Sequence, residues 1–165
     1  MVKSKLVVFS GLVVVALCGG IVGCGNDAAT TTSTGSDSAA VEVKDVEMKY
    51  ISADDVNANI ASDDYLIVDV RKAADYEAGH IPGAVNADMD AAKGGDNDSG
   101  IANMKAALGD PAEVDKKIVL VCYSGKSYAK AGTNILAALG ANMDNVFTLE
   151  GGMKAWDEAG YDTEK

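Results

Sequence analysis

The sequence predicts an α/β fold: three layers, α/β/α, around a central, mainly parallel sheet of five strands. Two observations carry this. Short, nearly continuous apolar runs stand at Tyr65–Val70 and Lys117–Val121, the pattern of strands buried on both faces. Segments with helical spacing separate the strand candidates, as crossover helices do between parallel strands. Length and composition agree. The chain has 165 residues, 48% hydrophobic, 24% charged and only two Pro, which is a globular composition with one domain as its soft prior.

Met48–Ile51 is the first strand candidate. Ser52 then stands as an N-cap, with Asp54 and Asp55 in the first turn of a helix to about Ile60. After the strand Tyr65–Val70, Lys72–Glu77 reads as a short helix, Gly79–Gly83 as a turn and Ala84–Asn86 as a short strand. Ile101, Met104 and Leu108 share a helical face. Lys117–Val121 is the strongest strand. Ser127–Leu139 is a helix with Gly140 at its end. Val146–Leu149 closes the set of strands, and Gly152–Ala159 is the last helix. No internal repeat is visible.

The chain carries 14 Lys and Arg against 25 Asp and Glu, a net charge of −11. A nucleic-acid binder needs a basic face to neutralise phosphates, so that class is excluded. Three Cys do not make a disulfide scaffold. One Arg (Arg71) and one His (His80) exclude an Arg cluster and a multi-His metal site. The N-terminus reads as an address. Lys3 and Lys5 precede an apolar or small run from Leu6 to Val22, at the lower limit for a membrane span. The run ends at Ile21-Val22-Gly23-Cys24, which resembles a bacterial lipobox. The resemblance implies a signal peptide over 1–23 and lipidation of Cys24. Cys18 fits less well because Leu17 precedes it. An uncleaved signal anchor is the other reading, and the polar turn in composition directly after Cys24 favours lipidation. Both readings place the chain at the cell envelope, outside the cytoplasm and attached to the membrane. Residues 24–45 are then a polar, flexible tether, and 46–165 the folded domain. Cleavage leaves 12 basic side chains against 25 acidic ones, a net −13, so any anion site must be built locally.

Ligands of parallel sheets sit beyond the carboxyl ends of the strands, and Cys122 follows Val121 at such an end. The segment Cys122-Tyr-Ser-Gly-Lys-Ser127 links that strand to a helix. Successive N–H groups in so tight a curve form an anion-binding nest, and the helix adds its positive end. Gly125 allows conformations closed to other residues, and Lys126 adds charge at the mouth. These features favour thiolate over thiol at Cys122. The plain alternative, a buried structural Cys acting as a small hydrophobe, fits a strand end before a polar Gly-containing loop less well.

Four segments, in order, resemble the rhodanese family of sulfurtransferase-like domains. They are Asp69-Val70-Arg71 at a strand end, Gly79-His80-Ile81-Pro82-Gly83-Ala84-Val85-Asn86, the loop Cys122–Ser127, and Glu150-Gly151-Gly152-Met153-Lys154-Ala155-Trp156. The resemblance implies that Cys122 is the nucleophile. It would take the outer sulfur of a donor anion such as thiosulfate as a persulfide, then pass it to a thiol or cyanide acceptor. The N–H groups of Tyr123, Ser124, Gly125, Lys126 and Ser127 would hold the sulfur anion, and Lys126 would attract the donor. Arg71 is a candidate substrate contact, although a scaffold pair with Asp69 is the simpler role. His80 is expected to fix its turn and Trp156 to fill the core. Related phosphatases and arsenate reductases use a longer Cys-X5-Arg loop. No Arg follows Cys122 here, so sulfur chemistry is expected over phosphate chemistry. No cofactor and no metal are called for, and a monomer is expected.

Two motifs have bland readings. Asp88, Asp90, Asp96 and Asp98 lie in a Gly-rich stretch whose spacing does not match an EF-hand loop, and a solvated surface loop is the expectation. Gly125-Lys126-Ser127 echoes a phosphate loop, but position 120 is Leu where that motif needs Gly. A non-enzymatic sulfur carrier or partner-binding module at the envelope is the competing functional class.

Overall fold

In the computed structural model, residues 41–165 are described. The signal segment, Cys24 and most of the expected tether lie outside them. Among the described residues, no helix is long and apolar enough to cross a membrane.

The elements follow the expected order. They are β1 (Tyr50–Ile51), α1 (Ala53–Asn59), β2 (Tyr65–Asp69), α2 (Ala73–Ala78), β3 (Val85–Asn86), α3 (Asp90–Lys93), α4 (Asn97–Leu108), β4 (Lys117–Val121), α5 (Ser127–Ala138), β5 (Val146–Leu149) and α6 (Gly152–Glu158). The five strands form one sheet in the order β1-β5-β4-β2-β3, and every pairing within it is parallel. Ser52 caps α1 as expected, its hydroxyl accepting from the Asp55 N–H at 3.1 Å.

The period-2 alternation of the strands builds two cores. Val68, Ile118, Leu120, Cys122 and Val146 pack with Ala92, Met104, Ile135 and Leu136 of α3, α4 and α5. Ile67, Val119, Val121 and Leu149 pack with Val56 of α1 and Met153 and Trp156 of α6. Trp156 is fully buried, and its Nε1 donates to the Asp162 carbonyl at 3.0 Å, so it fills the core as expected. The middle strand β4 is covered on both faces, which places the nucleophile candidate at the end of the most buried strand.

Three findings differ from the sequence reading. The stretch from Asp88 is not an open loop but α3 and the first turn of α4. Asp88 accepts from the N–H groups of Ala73 and Asp90, and Asp96 caps α4 by accepting from the Ser99 N–H. Gly100 lies within α4, where a Cβ would stand 2.4 Å from Ile135 Cδ1 and 2.6 Å from Ala92 Cβ. Glycine there lets three helices close on each other, and a glycine carries no apolar signal. Second, the first strand is shorter, although the Thr148 N–H still reaches the Lys49 carbonyl at 2.7 Å. Third, contacts to the domain begin before residue 46. Val43 packs against the first core, and Asp45 pairs with Lys130 at 2.8 Å.

Thr148 is buried on β5, and its hydroxyl has no hydrogen-bond partner among the described residues. An unsatisfied buried hydroxyl costs about 1–3 kcal/mol. Thr148→Val keeps the shape and removes the orphan group. We expect the unfolding free energy to rise by about 1 kcal/mol, read as a higher urea midpoint at unchanged m-value.

Candidate active site

Cys122 is the residue directly beyond β4, with 1% of its surface exposed and its thiol free. The loop it opens is held from one side by the start of α6. The Met153 N–H donates to the Cys122 carbonyl at 2.8 Å, and the Lys154 N–H donates to the Tyr123 carbonyl at 3.2 Å. A trans peptide sets its N–H opposite its C=O, and the described residues hold no cis peptide. With both carbonyls turned to α6, the N–H groups of Tyr123 and Ser124 point away from it. Among the described residues, no acceptor takes the N–H groups from Tyr123 through Ala129. The first backbone donor thereafter is Lys130, bonded to the Lys126 carbonyl at 2.8 Å. A run of unpaired amides leading into the first turn of a helix is an anion-binding arrangement.

Two glycines make this contact possible. Gly125 has φ +67°, and a Cβ there would stand 2.7 Å from the Leu149 carbonyl oxygen. Gly152 has φ +61°, and a Cβ there would stand 2.2 Å from the Cys122 oxygen and 2.7 Å from the Ser124 nitrogen. The closing Gly-Gly of the sequence is therefore a seat for the Cys122 loop.

The other expected residues fall into two groups. Ser124, Lys126 and Ser127 are exposed on the loop, and Lys126 pairs with no carboxylate among the described residues. Arg71 is turned inward. Its Nη2 donates to Asp69 Oδ2 at 2.6 Å and to the Gly79 carbonyl at 2.7 Å, and Nε donates to both Asp69 oxygens at 3.0 Å. Burial opposes its charge, but the Asp69 hydrogen bonds outweigh that and raise its affinity for the proton. The guanidinium carbon lies 5.9 Å from the centre of the Tyr123 ring. Arg71 thus ties β2 to the Gly79 turn and backs the residue after the nucleophile. His80 is buried in that turn. It stacks on Tyr76 with centroids 3.8 Å apart, and its Nδ1 lies 2.9 Å from the Tyr76 carbonyl. Its backbone pairs with Glu164. These are the contacts of a turn-fixing residue.

Sequence reasoning missed the side chains around Tyr123. The Tyr123 hydroxyl donates to Asp75 Oδ2 at 2.5 Å. Burial, then this bond, pushes its pKa up to about 12, so it stays a donor across the neutral range. The Tyr123 ring meets Tyr128 edge-on at 5.1 Å. Tyr128 donates to Asp90 Oδ1 at 2.6 Å, which also raises its pKa, and Lys72 pairs with Asp90 at 3.3 Å. These partners lie 38 and 48 residues from the loop, and no local spacing announces them.

The model of the rhodanese-like domain matches residues 52–159, from the cap of α1 to the residue after α6. The chain belongs to the rhodanese-like family. The thiosulfate sulfurtransferase GlpE of Shewanella oneidensis is 29% identical over 111 residues, covering 67% of this chain and 94% of its own length. That of Pseudomonas savastanoi pv. phaseolicola is 31% identical over 91 residues, 55% of this chain and 71% of its own. Among solved structures, a rhodanese-related protein from Thermoplasma volcanium superposes with a TM-score of 0.51 at 28% identity, over 70% of this chain and 97% of its own.

The rhodanese-like glycines separate strain from clash. Gly83 also has positive φ (+75°) but open space around its Cβ position. Gly83→Ala should cost about 1 kcal/mol of stability. Gly152→Ala adds the collision with the Cys122 loop and should cost several-fold more in urea unfolding, with Cys122 more open to alkylation.

Proposed function

We propose that the chain is a sulfurtransferase working through a persulfide on Cys122. The Cys122 thiolate attacks the outer sulfur of a donor such as thiosulfate. The new S–S bond forms as the donor's S–S bond breaks, and sulfite leaves with the bonding pair. A thiophilic acceptor, cyanide or a thiol, then attacks the outer sulfur and returns the thiolate. The observation that supports this most is the run of unpaired N–H groups from Tyr123 onward, beside a free Cys at a strand end. Such donors stabilise a sulfur anion without reorganisation at the moment of reaction. The named activity of the GlpE relatives points the same way.

Cys18 and Cys24 are the only other cysteines, so once the signal segment is cleaved and Cys24 lipidated no second free thiol remains to resolve the persulfide. An outside acceptor must carry the sulfur away. The test is turnover. Thiosulfate with cyanide should yield thiocyanate with the wild type and none with Cys122→Ser, and donor treatment alone should add one sulfur atom to the peptide bearing Cys122. A wild type that gains no sulfur from any donor, yet retains a partner protein through this domain, is a binding module instead.

We also propose that Cys24 carries a lipid that holds the domain at the extracytoplasmic face of a membrane. The lipobox-like Ile21–Cys24 and the polar stretch after it support this. Wild type should incorporate labelled fatty acid and lose residues 1–23, and Cys24→Ala should do neither, keeping the apolar run Leu6–Val22. A wild type that takes up no label rules the lipid out.

A further inference from the structure

A buried nucleophile must be reached, and the residue next to it on the loop is an exposed aromatic. Cys122 is 1% exposed, whereas Tyr123 is 36% exposed. An aromatic ring with that much solvent contact normally samples several rotamers. Tyr123 is instead held on three sides by different elements. Asp75 on α2 takes its hydroxyl, the Arg71 guanidinium at the end of β2 faces its ring, and Tyr128 on α5 meets it edge-on. Tyr128 is itself fastened to Asp90 on α3. Core packing does not need this ring, because no core cluster includes it. The fastening serves the surface beside the thiol.

We infer that Tyr123, latched by Asp75, is a specificity-determining wall that limits the partners of Cys122 to narrow ones. Asp75 acts through Tyr123 and is a positioning residue. The inference rests on Cys122 being the reacting group, and so deepens the sulfur-transfer reading. With the latch closed, a small anion or a slim acceptor passes and a bulky one meets the ring. A hydrogen bond to a charged acceptor is worth enough to favour the latched state ~10-fold or more.

The test reads the thiol itself, on the full-length chain. Second-order alkylation rates at Cys122 are measured by peptide mass spectrometry for a small reagent, iodoacetamide, and a bulky one, N-phenylmaleimide. Both react with the same thiolate, so the bulky-to-small ratio cancels changes in thiolate population. Asp75→Ala and Tyr123→Phe each remove the latch and should raise the ratio ~10-fold. Asp75→Asn keeps an acceptor oxygen, now uncharged, and should fall between wild type and Asp75→Ala. A ratio unchanged in Tyr123→Phe, both rates rising together, or Asp75→Asn behaving like Asp75→Ala overturns the wall. Tyr123→Phe loses one hydroxyl only, so the test survives if Asp75→Ala folds poorly. A chain that transfers no sulfur still reports on the wall, and a chain that transfers sulfur with an unchanged ratio loses the wall alone.

Discussion

The site depends on one backbone-to-backbone contact, that of the Cys122 loop with the first residues of α6. Two helical amides take the carbonyls of Cys122 and Tyr123, and that choice decides where the loop's own amides point. Had those carbonyls faced the nest, their lone pairs would have repelled the anion that the amides attract. The contact is possible only because Gly125 and Gly152 present no Cβ to the opposing backbone. The sheet supplies the rest. β5 lies beside β4, and the turn after β5 brings Gly151 and Gly152 to the point where β4 ends.

Charge works at two ranges. The protein is acidic throughout, and its distant field repels anions. Beyond about 8 Å that field is screened at physiological salt, while the loop's amide dipoles act at contact distance. Among the described residues Lys126 is exposed on the loop without a carboxylate partner, whereas Lys72 is engaged by Asp90. The anion site proposed at Cys122 would therefore be a local property of backbone geometry.

The strands and helices were readable because burial imposes periods on the sequence. Tyr65–Asp69, Lys117–Val121 and Val146–Leu149 sit at the center of the sheet, where both faces demand apolar residues, and they were located almost to the residue. β1 and α3 were harder. β1 is an edge strand of two residues, and α3 has four, too few to show a period. Asp88, Asp90 and Asp96 looked like surface acids because a capping carboxylate and a solvated one are the same letter. Cys122 and its loop stood out through position alone, at a strand end before Gly. The role of Gly152 did not, since it is set by a loop nearly thirty residues upstream. Nor did the Tyr123 latch, whose acceptor on α2 no nearest-neighbour pattern reaches.

The structure strengthens the preference for sulfur over phosphate chemistry beyond what the loop's length offers. A tetrahedral oxyanion is best held by a guanidinium fork making two parallel hydrogen bonds. Arg71 is the only Arg in the chain, and it lies near enough to Tyr123 for that role to be considered. Its Nε and Nη2 are already bonded to Asp69 and Gly79, and releasing them would strand a buried carboxylate, an expensive state. A persulfide asks less of the protein. Its charge sits on one terminal sulfur already bonded to the chain, so amides suffice and no fork is needed. The inward turn of Arg71 and the unpaired amides of the loop are thus two halves of one preference.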